Sequence, residues 1–82
     1  MLVTLKSTVF GVESIVQVSV KRELTEDEIQ KLQQELQTLY EYEFIDFNIV
    51  KAYETFDNKI VMQLVNKNTN DQIVLITLEG DN

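Results

Sequence analysis

The apolar residues between Thr25 and Tyr40 recur at helical spacing, whereas the segments on either side alternate or run apolar throughout, as strands do. Ile29, Leu32, Leu36, Leu39 and Tyr40 project within an arc of about 100°, the width of a stripe that packs on a sheet. Thr25 with Glu28 three residues on forms a capping box, and Leu24 before the cap can staple onto Ile29. The helix is therefore expected to run from Thr25 to about Tyr40 or Tyr42. A chain of 82 residues with one such helix can cover one face of one sheet, so a single domain over residues 1–82 is expected.

The strands follow from period-two patterning. With Phe10, Gly11, Val12 and Glu13 as a four-residue loop, Leu5 faces Val18 and Val3 faces Val20 on one side of a hairpin. The opposite side carries Thr4, Lys6, Thr8, Ile15, Gln17, Ser19 and Lys21 and is mostly polar. After the helix, Ile45, Phe47, Ile49 and Tyr53 share a side. A two-residue turn at Asp57 and Asn58 sets Thr55 against Ile60, Tyr53 against Met62 and Lys51 against Leu64. A polar loop from Asn66 to Asp71 leads to Ile73, Val74, Leu75, Ile76, Thr77 and Leu78, which are apolar on both sides and read as a central or doubly covered strand.

The expected fold is α+β, in ββαβββ order, with one helix on one face of a mainly antiparallel sheet. A helix crossing a sheet after an N-terminal hairpin resembles the β-grasp arrangement, most clearly in its hairpin and helix. The helix covers one side of the sheet only. Val50, Val61 and Val65 are left on the other, where a second copy of the chain would cover them, and a homodimer is expected.

Chemistry is narrowed by what the chain lacks. It has no Cys and no His, which removes thiol nucleophiles, imidazole bases and the usual soft metal sites. Arg22 is its one arginine, and Gly11 and Gly80 are its two glycines, so no glycine-rich phosphate loop is available. The net charge of −7 opposes direct binding of DNA or RNA. The N-terminal residues alternate rather than forming a signal-peptide core, and no apolar run reaches membrane-spanning length, so a cytoplasmic protein is expected.

Two acidic groups stand out. Glu26 and Asp27 open the helix with Glu28, and Glu41, Glu43 and Asp46 follow it. Capping and the helix dipole account for the first group without a partner, while the second has no capping role and carries more of the functional case. Carboxylates so placed can imitate a row of phosphates and occupy the DNA-binding surface of a basic protein. Phe10 and Val12, large apolar residues at a hairpin tip, are either a contact point or fold back over the sheet edge. Gln30, Gln33, Gln34 and Gln37 read as a wet helix face, and Tyr40, Tyr42 and Tyr53 as packing residues. Asn66, Asn68 and Asn70 are spaced like calcium ligands, but Asp71 stands where a calcium loop needs glycine and Thr77 where it needs glutamate, so they read as a polar turn. No catalytic constellation, cofactor site or metal site emerges.

In size, charge and blankness of chemistry the chain resembles the small acidic inhibitors that phages make to disable host proteins. These include the DNA mimics that inhibit uracil-DNA glycosylase and the nucleoid protein HU. The resemblance is one of class, with no shared motif. It implies a non-enzymatic inhibitor whose partner is a basic, DNA-binding protein. The alternative is a structural or adaptor subunit that self-associates through its sheet. Salt separates the two, because screening weakens contacts between exposed charges and spares apolar ones.

Overall fold

The computed structural model of the protein describes residues 1–8, 11–39 and 46–76. Its elements are β1 (Leu2–Ser7), β2 (Ser14–Glu23), α1 (Glu26–Leu39), β3 (Phe47–Thr55), β4 (Ile60–Asn66) and β5 (Gln72–Ile76). Each strand pairs antiparallel with the next, giving one five-stranded sheet in the order β1-β2-β3-β4-β5. The α+β class and the ββαβββ order hold. The hairpin and helix follow one another as in the β-grasp comparison, and the strands cross the sheet in sequence order.

Local chemistry starts the helix where the capping box placed it. The Thr25 N–H donates to Glu28 Oε1 at 2.9 Å, and the Glu28 N–H donates back to Thr25 Oγ1 at 3.3 Å. Leu24 is buried in the cluster against which Ile29 packs, as a hydrophobic staple requires. Leu36 is buried beside Ile49, Ala52, Met62 and Leu64, so the helix stripe faces β3 and β4. Tyr40 to Ile45 lie outside the described residues.

The hairpin registers differ from expectation for identifiable reasons. The β3–β4 turn holds three residues, Phe56, Asp57 and Asn58, rather than two. Asn58 takes a left-handed conformation at φ 65°, its N–H donates to the Thr55 carbonyl at 3.2 Å, and the Thr55 N–H donates to the Lys59 carbonyl at 2.9 Å. Buried Thr55 reinforces the turn through its hydroxyl, which accepts the Lys59 N–H at 2.9 Å. One extra loop residue slips the ladder by one, so Tyr53 pairs with Val61 and Ala52 with Met62. A bulge between Ile49 and Lys51 then changes the side on which later residues fall. Ile49 and Ala52 face the helix, and Tyr53 faces away.

In the first hairpin Leu5 pairs with Val16 and Val3 with Val18, two residues from the expected register. A shift of two preserves the faces, so Leu5, Val18 and Val20 still share an apolar side. The connection is longer than four residues because Thr8 is engaged elsewhere. Its N–H donates to the Gln72 carbonyl, and its hydroxyl accepts the Gln72 N–H, both at 2.8 Å.

That contact reveals the shape of the fold. β2 pairs with β1 from Ser14 to Ser19 and with β3 from Val20 to Glu23, with a register break between Val20 and Arg22. Its two halves serve different strands, and the β1–β2 hairpin bends across the face of the sheet opposite the helix. Buried Gln63 on β4 meets it there: Nε2 donates to the Lys6 carbonyl at 2.8 Å, and Oε1 accepts the Lys6 N–H at 3.3 Å. Leu5, Val20, Tyr53 and Val61 are sealed beneath the hairpin as a second core.

Two expectations are thereby corrected. Val61 is 0% exposed and belongs to this second core, so it cannot meet another copy. The chain covers with its own hairpin the face that seemed to need a partner. Val65 is half-buried and Val50, at the bulge, is exposed. β5 is the end strand of the sheet rather than a central one, and it answers to the doubly covered alternative: Ile73 and Leu75 pack against the helix-side core and Val74 against the second core. Among the described residues no helix is long and apolar enough to cross a membrane.

Replacing Leu36 with Ala opens a cavity under the helix and should cost about 2–5 kcal/mol, against about 1 kcal/mol for Thr25→Ala, which removes only the cap. Val61→Lys places a charge in the second core and should abolish the cooperative urea transition, whereas Val50→Lys should leave it within about 0.5 kcal/mol of the original. Urea titrations followed by circular dichroism measure all four.

Candidate partner-binding surface

The junction between β2 and α1 is organised by Arg22. The β2–β3 register places Arg22 opposite Glu54, and the helix returns Glu28 to the same spot. Arg22 Nε donates to Glu54 Oε1 at 2.8 Å, while Nη1 and Nη2 donate to the two Glu28 carboxylate oxygens at 2.9 Å each. One guanidinium thus ties β2, β3 and the helix start together. The Arg22 hydrogen bonds, with that from the Thr25 N–H, pull the Glu28 carboxyl down to about 2. The same contacts raise Arg22 further above its already high value.

Glu26 and Asp27 take no part in this arrangement. Both are exposed, and among the described residues neither makes a side-chain hydrogen bond or ion pair. The cap is built by Thr25 and Glu28 alone. Asp46 is half-buried just before β3, where its carbonyl accepts the Lys67 N–H at 2.9 Å. Its neighbour Phe47 is held by Gln33, roughly 10 Å along the helix axis from the first turn at 1.5 Å per residue. Asp46 and the first-turn acids are therefore separate positions on the surface. Glu41, Glu43 and Phe10 lie outside the described residues. Val12 is described and is 66% exposed beside Gly11, whose φ is 72°.

Three of the six lysines are also engaged. Lys6 pairs with Glu13 at 2.6 Å, Lys59 with Asp57 at 3.3 Å, and Lys21 reaches Glu54 at 3.9 Å. Asp57 is held below its ordinary value chiefly by the Thr55 hydroxyl. Arg22, Glu28 and Asp57 are thus each held in the charged form by the groups they bond. Among the described residues no three potential ligands gather to hold a metal ion. The Asn66 side chain instead accepts the N–H groups of Asn68 at 2.8 Å and Thr69 at 3.1 Å, closing a turn in which Asn70 has a φ of 65°.

Sequence reading missed three features. Gln33 is not part of a wet face: its Nε2 donates to the Phe47 carbonyl at 3.0 Å and its Oε1 accepts the Ile49 N–H at 2.7 Å. It occupies the edge of β3 that β2, paired only from Val20 to Glu23, leaves open. Gln63 does the corresponding work for β1, and a single amide inside the apolar run of β4 was a signal that it had a partner. The third is an open groove of about 470 Å³ between β2, the β3–β4 turn and the end of β5, lined by Val18, Thr55, Phe56, Val61 and Ile76 among others. Phe56 is 66% exposed and Ile76 43%.

No known protein family, curated protein or solved structure matches the chain.

Glu28 is depressed in the folded state, so its contribution is complete above the unfolded value of about 4.5 and disappears as pH falls toward 2. Glu28→Gln keeps a residue that can complete the capping box but removes the charge. Urea midpoints measured from pH 6 to pH 2 should fall less steeply for this variant than for the original chain, and the two should converge at the acid end.

Proposed function

We infer that this chain acts by binding rather than catalysis, and that its acidic surface engages a basic partner in the cytoplasm. The observation that carries this reading is the division of labour at the helix start. Capping there uses Thr25 and Glu28, and the arginine uses Glu28 and Glu54, so Glu26 and Asp27, which sit in the first turn where the helix dipole favours them, project into solvent with no side-chain partner among the described residues. Exposed carboxylates that no cation of the chain engages suit the attraction of something positive.

In its finer form the reading is DNA mimicry: the carboxylates stand in for phosphates, and the partner is a DNA-binding protein whose basic surface they occupy. The class resemblance to phage inhibitors supports this form, as does the exposure of Glu26 and Asp27. Val12, exposed beside Gly11, could add an apolar contact at the rim of such a surface.

The test is capture of cellular DNA-binding proteins by the immobilised chain at low and high salt, with duplex DNA as competitor. Charge-neutralising amides at Glu26 and Asp27, and separately at Glu41, Glu43 and Asp46, should weaken capture several-fold at low salt, with the difference shrinking as salt rises. Added DNA should displace the captured proteins. If the amide variants bind as well as the original while Phe10→Ser with Val12→Ser abolishes capture at every salt concentration, mimicry is excluded and an apolar contact at the loop takes its place.

A further inference from the structure

The two cores of this fold are filled from different stretches of chain. The helix-side core takes its buried members, Leu24, Leu36, Ile49, Ala52, Met62 and Leu64, from Leu24 onward, and its partly buried members likewise. The second core joins Leu5 and Val20 of the first hairpin to Tyr53 and Val61 of the sheet, with Val3, Val18 and Val74 at its margin. Lifting the hairpin away would therefore dismantle the second core and leave the first whole.

A hinge for that movement lies in β2. The Val20 N–H donates to the Met1 carbonyl at 2.7 Å, which ties the strand through Val20 to β1, while Val20 is also the first residue placed opposite β3, at Thr55. Beyond the register break, Arg22 and Glu23 pair with Glu54 and Tyr53, and the Leu24 N–H donates to the Ala52 carbonyl at 2.9 Å. The Arg22 guanidinium fixes this far side through Glu54 and Glu28. Lys21 stands at the break between the two halves.

Across the rest of its length the hairpin is attached at points. Its Lys6 pairs with its own Glu13, and among the described residues no ion pair joins residues 1–20 to the remainder of the chain. Where the hairpin meets β4 and β5, the Gln63 amide bonds both backbone groups of Lys6, and Thr8 bonds both backbone groups of Gln72.

We propose that β1 with β2 through Val20 is a flap that opens as one unit about Lys21, with Gln63 and Thr8 as its latches, while the helix-side core stays folded. Native proteins open in such supersecondary units at free energies below that of global unfolding. The open form is a minor state, because it exposes Leu5 and Val20, which are 4% and 0% exposed when the flap is closed. A lone two-stranded hairpin is marginal in water, so the β1–β2 ladder frays once the flap lifts and its amides report the opening. The device uses neither acidic group and stands apart from the binding reading.

Hydrogen exchange of the full chain, followed amide by amide under native conditions where it reports the opening equilibrium, tests the proposal. The Lys6, Thr8 and Val20 amides should share one opening equilibrium, about tenfold or more larger than that of the Leu24 amide and the β3–β4 ladder. Ile49→Val removes a methylene from the helix-side core alone. It should speed exchange at Leu24 and in the β3–β4 ladder about fivefold and leave the three hairpin amides unchanged, because that core is intact in the closed and the open form alike. Gln63→Met removes a latch and destabilises the closed form relative to every opened one, so it should speed both sets about tenfold. Should Gln63→Met fail to fold, Thr8→Val, which removes the hydroxyl that accepts the Gln72 N–H, takes its place. Hairpin amides that exchange as slowly as Leu24, or that answer Ile49→Val by the same factor as Leu24, would show that the hairpin leaves only in global unfolding and would overturn the proposal. Hairpin amides indifferent to loss of a latch would overturn it as well, since fraying of single residues would then account for their exchange.

Discussion

The paired hydrogen bonds between Gln63 and the backbone of Lys6 are the contact on which the second half of the architecture rests. A sequential five-stranded sheet with one helix has an uncovered face, and this chain covers it by bending its first hairpin back across β4 and β5. The bend carries β1 over strands with which it forms no regular ladder. Its outward backbone groups would be left unpaired in an apolar interior, at a cost of about 1–3 kcal/mol each, unless something met them. The Gln63 amide presents one donor and one acceptor at the spacing of a peptide group and does so for Lys6. Thr8 and Gln72 do the same farther along.

Gln33 applies the same solution on the helix side. Where β2 leaves β3, the exposed peptide groups of Phe47 and Ile49 are met by a side-chain amide from α1. Two glutamines thus replace strand partners at two places where the sheet cannot continue. Among the described residues no buried side-chain polar atom lacks a partner.

Charge is arranged on a different principle. The single arginine is spent at the one point where β2, β3 and the helix converge, binding two carboxylates that would otherwise repel each other. The other acids of the helix start receive no such compensation. The exposed acids of the proposed binding surface and the folding junction therefore sit side by side, separated by which carboxylates the arginine reaches.

The helix start and the alternation of the strands were legible in the sequence because their causes are local: a cap, a staple and a period are all set within a few residues. The sides of the first hairpin survived a register error because the error was two residues, a full strand period. The β3–β4 register did not survive, since the left-handed conformation of Asn58 adds one residue to the loop and a bulge follows in β3. The bulge lets β3 serve two cores, with Ile49 and Ala52 toward the helix and Tyr53 toward the first hairpin, and those neighbours come from distant parts of the chain. Likewise, sequence alone showed that a second apolar face existed but not what would cover it. Only the tertiary structure decided that the chain's own hairpin does so, because the break in β2 and the reach of Gln63 to Lys6, 57 positions away, act between segments whose proximity no local pattern encodes.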